Sequence, residues 1–114
     1  MHVQSLGETV TVDDGVVQLA FDLSGSGAGY LIISRPIAGL QGLDEFFGAD
    51  HYVEVKDQLF GSYGGLERLT VLNDCAAVVG LSNDVPGVGR EISIATAKPM
   101  TPELLQHLRQ LQRS

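Results

Sequence analysis

The sequence predicts an α+β fold, an antiparallel sheet of about six to seven strands with a C-terminal helix packed on one face. Three features predict it. Short apolar runs alternate with a period of two and are bounded by Gly, Asn, Asp or Pro. Only the C-terminal segment changes to a helical spacing. No shift of composition divides the 114 residues, so 1–114 is read as a single domain with one core.

Thr9 to Val12 and the run containing Val17, Leu19 and Phe21 form a hairpin about Asp13-Asp14-Gly15. In the second strand Gln18, Ala20 and Asp22 face the other way. Ser24-Gly25-Ser26-Gly27-Ala28-Gly29 is then a loop leading into a more buried strand, Tyr30 to Ser34, which stops at Arg35-Pro36 because proline cannot continue a central ladder. From Ile37 to Asp50 the alternation is lost, and Leu40, Leu43, Phe46 and Phe47 suit a short helix or a packed loop. Tyr52 to Lys56 alternates again, with Val53 and Val55 inward, or the reverse if the outer face is itself covered. Leu66 to Leu72, Ala76 to Leu81 and Glu91 to Ala95 complete the strands, the first two joined by a tight reversal at Asn73-Asp74. In the final helix Thr101 caps, Pro102 takes the first position and Glu103 meets the positive end of the dipole, while Leu104, Leu105, Leu108 and Leu111 make one apolar stripe.

Composition narrows the function. Fourteen acidic residues against seven basic ones give a net charge of -7, and no Lys or Arg precedes Arg35. Binding to nucleic acid is disfavoured, because the phosphate backbone is gripped through Lys and Arg contacts that release counterions. An acidic surface instead suits a basic protein partner, and it also keeps a protein soluble. Cys75 is the single cysteine, which excludes an intramolecular disulfide and points to a reducing, cytoplasmic setting. The N-terminus shows no signal-peptide pattern and no stretch has the length of a membrane span, so membrane association is not expected.

Chemistry-bearing motifs are weak. The Ser24–Gly29 cluster lacks the following helix, Lys and Ser/Thr of a phosphate loop. His2, His51 and His107 are far apart, and Asp50 with His51 and Glu54 offers two ligands at best, because adjacent residues of a strand diverge. Cys75 opens an apolar run and reads as an inert buried thiol, while Ser62 and Ser93 lie in no nucleophile elbow. No cofactor, no metal and no enzymatic activity are therefore expected.

What remains is an acidic, aromatic stretch, Tyr52-Val53-Glu54-Val55-Lys56-Asp57-Gln58, followed by Leu59-Phe60-Gly61-Ser62 and then Tyr63-Gly64-Gly65-Leu66-Glu67. In itself it reads either as a hairpin, with glycines at a bulge and a locally packed tyrosine, or as an edge for a protein partner. Its residues Tyr52, Glu54, Asp57, Gln58, Tyr63, Gly64, Gly65 and Glu67 resemble the run found in immunity protein family ten of bacterial polymorphic-toxin systems. The resemblance implies an α+β cytoplasmic protein that binds a cognate toxin domain and blocks it, and charge alone would suit a basic, nuclease-like toxin. It nominates Tyr52, Glu54, Asp57, Gln58, Tyr63 and Glu67 for the interface, with Gly64 and Gly65 shaping the backbone. A cytoplasmic adaptor or a small-molecule-binding module is the alternative. Edge strands and Cys75 allow a homodimer without requiring one.

Overall fold

The computed structural model describes residues 1–13, 15–36 and 51–111, with the side chains of Pro36, Gln58 and Tyr63 outside that description. The segment from Ile37 to Asp50, for which the sequence left helix and loop open, lies outside the described residues, as does Asp14 of the first turn.

The α+β class holds, and the sheet divides in two. A four-stranded sheet has the order β1-β9-β8-β7, from β1 (His2–Ser5), β9 (Gly89–Thr96), β8 (Ala76–Val85) and β7 (Leu66–Asn73). A five-stranded sheet has the order β2-β3-β4-β5-β6, from β2 (Glu8–Asp13), β3 (Val16–Leu23), β4 (Gly29–Pro36), β5 (Tyr52–Val55) and β6 (Ser62–Tyr63). All neighbours are antiparallel except β1 and β9, which run parallel. The single sheet of six to seven strands expected from periodicity is thus corrected to nine strands among the described residues, in two sheets. The two additional strands are β1, whose only large apolar residue is Val3, and the two-residue β6; neither is long or apolar enough to declare itself.

Each sheet buries one face. Val17, Leu19, Phe21 and Leu23 of β3, Leu31 and Ile33 of β4, and Val53 and Val55 of β5 share one core with Leu69, Val79, Ile92 and Ile94 from the other sheet. Such rows follow from the two-residue period, which puts alternate side chains on one face. Val53 and Val55 do point inward, as the alternation indicates.

The C-terminal helix, α1 (Pro102–Leu111), sends Leu104, Leu105, Leu108 and Leu111 into that same core. Thr101 caps it, its Oγ1 accepting from the Leu104 N–H at 3.2 Å and its carbonyl from the Leu105 N–H at 3.0 Å. The helix packs its apolar stripe on the core and touches β7 of one sheet and β2 of the other. Four buried leucines stabilise this docking by about 1.5–3 kcal/mol each relative to exposure.

Candidate functional site

The stretch from Tyr52 to Glu67 holds a short antiparallel hairpin, β5 with β6, and then a crossover to the other sheet. Tyr52 and Val53 pair with β6, whereas Leu66 opens β7 in the other sheet. Gly64 and Gly65 make the passage. Gly64 has a φ of 70°, in the left-handed region that costs any other residue strain, and a Cβ on Gly65 would meet the Ser62 Cβ at 3.0 Å and the Ser62 carbonyl at 3.2 Å. His51 and Ser82 clasp the passage on either side. The Gly64 N–H donates to the His51 carbonyl at 3.0 Å and the Leu66 N–H to His51 Nε2 at 3.0 Å; the Ser82 hydroxyl donates to the Gly64 carbonyl at 3.1 Å and the Ser82 N–H to the Gly65 carbonyl at 2.8 Å. Buried His51 is thus an acceptor inside the fold.

Glu54 takes a different place from the one an interface carboxylate would hold. It lies on the outer face of the five-stranded sheet, yet only 9% of it is exposed. Register puts Glu54 opposite Ile32 and Tyr52 opposite Ser34, and Tyr30 lies two residues before Ile32 on the same face of β4. Both phenols donate to the carboxylate. Tyr52 reaches Glu54 Oε1 at 2.7 Å, and Tyr30 donates to Oε2. The hydrogen bond to Glu54, aided by desolvation and by the charges of Glu54 and Asp57, pushes the Tyr30 phenol up to about 12. Tyr30, Ile32 and Tyr52 are all half-buried, so the outer face carries an aromatic and apolar patch around one enclosed carboxylate.

Beyond β5 the chain turns sharply. Lys56 has a φ of 71°, the one positive value among the described residues other than glycine, and the Asp57 N–H donates back to the Val55 carbonyl at 2.7 Å. Such three-residue turns are strained. Lys56 Nζ donates to the Pro86 carbonyl at 3.1 Å, anchoring the turn to the β8–β9 connection. Asp57 is exposed, and its Oδ1 accepts from the Leu59 N–H at 3.1 Å, capping the single helical turn Gln58–Phe60. Leu59 is thereby held out in solvent, 85% exposed.

Glu67 belongs elsewhere. It is exposed on β7 and pairs with Arg90 at 2.7 Å, beside a second pair, Arg68 with Glu91 at 2.6 Å. Gly80 stands opposite both Arg68 and Glu91 in the register and leaves room for Arg68, whose Cβ would lie 3.0 Å from a Cβ at that position. The nominated residues therefore separate into Tyr52, Glu54 and Asp57 on or beside the five-stranded sheet and Glu67 on the four-stranded one. The backbone of Tyr63 pairs with Tyr52, next to the first group. Gln58 begins the helical turn, and its side chain is outside the described residues.

No family model, curated protein or solved structure matches this chain. The resemblance of the Tyr52–Glu67 run stands on its residues alone.

Tyr30 and Leu59 were absent from the sequence-derived site. Tyr30 sits in a strand read only as buried, and no local signal distinguishes it from a core tyrosine. Leu59 lay inside the motif, but its exposure depends on the strained turn at Lys56. Other sequence readings fare as follows. Ser24–Gly29 is a hairpin loop with one 3-10 turn, Gly27 and Gly29 both at positive φ. Asp22 is held below the usual carboxylate range by the Ser24 hydroxyl and N–H, which donate to Oδ1 at 2.6 and 3.0 Å. Cys75 is only half-buried, because it sits in the β7–β8 turn and not in the strand. Among the described residues no group of three His, Cys, Asp or Glu side chains is placed to hold a metal ion, and no helix is long and apolar enough to cross a membrane.

Proposed function

We propose that this chain is an inhibitor that binds a cognate protein toxin domain through the outer face of its five-stranded sheet, acting by coverage without chemistry of its own. The observation that carries the reading is the Tyr30–Glu54–Tyr52 arrangement. Tyrosines dominate binding energy at protein interfaces because they combine a large apolar ring with a polar tip, and fixing them beforehand lowers the entropy lost on association. Here one enclosed carboxylate fixes two of them. Glu54 is thus a positioning residue, while Tyr30, Ile32, Tyr52 and Leu59 supply contact surface.

The charges around this face favour a basic partner. Asp13 and Asp22 are exposed on its outer side and Asp57 at its end, and such charges accelerate encounter with a cationic surface. The motif resemblance to toxin immunity proteins is the second support, and a cytoplasmic site of action follows from it.

The deciding experiment co-expresses the protein with toxin domains encoded beside it and scores survival. Rescue is expected, and replacing Tyr30 and Tyr52 together with Ala should abolish it while the purified variant still folds. Asp22→Lys with Asp57→Lys should slow association and flatten its salt dependence. Failure to rescue cells from any neighbouring toxin domain would remove the reading.

A further inference from the structure

The edge strands of the two sheets are not alike. β1 offers four residues and β6 only two, while β7 carries two breaks in its register and the basic Arg68. β2 differs from all three. Its six residues, Glu8–Asp13, pair among the described residues with β3 alone, in an unbroken register from Glu8 opposite Phe21 to Asp13 opposite Val16. Lysines, prolines and bulges keep an exposed edge from pairing with another chain, and β2 has none of them.

The phase of the ladder decides which groups are open. The Asp22 N–H donates to the Gly7 carbonyl at 2.9 Å and its carbonyl accepts from the Leu6 N–H at 2.8 Å, so the two strands are hydrogen-bonded at Gly7. Bonded and non-bonded pairs alternate along an antiparallel ladder. Thr9, Thr11 and Asp13 therefore bond to β3, whereas the N–H and carbonyl groups of Glu8, Val10 and Val12 point away from it. Val12 is open in a second way. It stands opposite buried Val17, on the core side of the sheet, yet it is 57% exposed, with no strand beyond it among the described residues.

We propose that β2 receives an extended strand of the partner protein, rich in β-branched residues and carrying Lys or Arg at both ends. In this mode backbone hydrogen bonds supply affinity and alternate side chains supply specificity. An apolar side chain of the added strand would cover Val12. Charge selects the ends of the strand. Asp13 stands at one end of β2 and Glu8 with Asp22 at the other, and no Lys or Arg precedes Arg35 to offset them. A second copy fits poorly, because it would bring its own Glu8 and Asp13 to the same ladder from a chain of net charge -7. That the strand comes from a toxin domain rests on the inhibitor reading; the open edge does not.

Nitrogen-15 NMR of the full chain tests this with a blocked synthetic peptide of alternating Val and Thr that has Lys at each end, and with the same peptide ended by Glu. In the free chain the Val10 and Val12 amides should exchange quickly and those of Thr9 and Thr11 slowly. The Lys peptide should shift and protect Val10 and Val12 in a saturable way. The Glu peptide should bind about tenfold more weakly, since attraction at both ends turns into repulsion. Val10→Pro removes one outward donor and leaves the bonds to β3 whole, because an edge tolerates proline there, and it should abolish the response. Val12→Lys, at an exposed position, should weaken it too; an undiminished response in that variant would overturn the proposal even if Val10→Pro fails to fold. So would slow exchange of Val10 and Val12 in the free chain, an unsaturated drift, or equal binding of the two peptides. Concentration-dependent shifts of these amides without peptide would replace the partner strand with a second copy. In co-expression, rescue kept by Val12→Lys but lost on replacing Tyr30 and Tyr52 would remove the edge and leave the sheet-face reading standing.

Discussion

The Nε2 atom of His51 accepts a hydrogen bond of 3.0 Å from the backbone N–H of Leu66, so the residue that precedes β5 fixes the first residue of β7 in the opposite sheet. His51 is 4% exposed and Leu66 is 3% exposed, which leaves water little access to the pair. Replacing His51 with Phe fills the space but strands the Leu66 N–H. The expected loss is about 1–3 kcal/mol, the cost of a buried donor left unsatisfied. Urea denaturation would measure it, and faster hydrogen exchange at the Leu66 amide would show that the loss is local to the crossover.

Gly64 and Gly65 should be sensitive for two different reasons. Gly64→Ala puts a Cβ on a left-handed residue and should cost about 1–2 kcal/mol. Gly65→Ala drives a Cβ against Ser62, with overpacking of about 1–3 kcal/mol. Combining Gly65→Ala with Ser62→Gly should restore part of the second loss and none of the first. A double-mutant cycle of melting transitions separates the two.

Tyr30 gives a pH signature. Its phenol is raised from the ordinary 10.0 to about 12 by donation to Glu54, so the protonated, hydrogen-bonded form is favoured in the folded state. The associated stability is fully present below about pH 10 and is lost as the pH climbs toward 12. Ultraviolet titration of the chain's three tyrosines should show one phenolate appearing late, near pH 12. Glu54→Gln should bring that step back toward 10 without unfolding the protein at neutral pH. A wild-type titration with no late step would show that the Tyr30–Glu54 bond does not persist in solution.

The division between what was legible in the sequence and what was not follows range of interaction. Alternation along β3 and β5 and the leucine stripe of α1 are local patterns, and each names its buried face correctly. The Thr101 cap and Pro102 start are local too. Sheet membership is not. Tyr52 and Leu66 belong to one short motif, yet the β5–β6 hairpin ends at Tyr63, and only the pairing of β5 with β4 and of β7 with β8 sends the two into separate sheets. The site has the same limit. Spacing put Glu54 and Glu67 in one motif, but the carboxylate of Glu54 is enclosed by tyrosines from two strands, one of them 24 residues away, while Glu67 lies beside Arg90. Chain-distant partners of this kind leave no trace in a short window.

The helix provides the sharpest test of how the two sheets are held together. Leu108 is 1% exposed in the middle of the α1 stripe, and the helix touches β2 and β7, one strand of each layer. If docking were to a single sheet, truncation would loosen that sheet alone. Because Leu108 enters a core shared by both, Leu108→Ala should cost about 2–5 kcal/mol through lost burial and the cavity left behind. The loss should appear as one cooperative transition shifted to lower denaturant with its slope unchanged. Hydrogen exchange should then rise in β3 and β9 alike, since each contributes buried side chains to the core that Leu108 fills. Exchange confined to β7, with the five-stranded sheet unaffected, would mean that the helix stabilises one layer only.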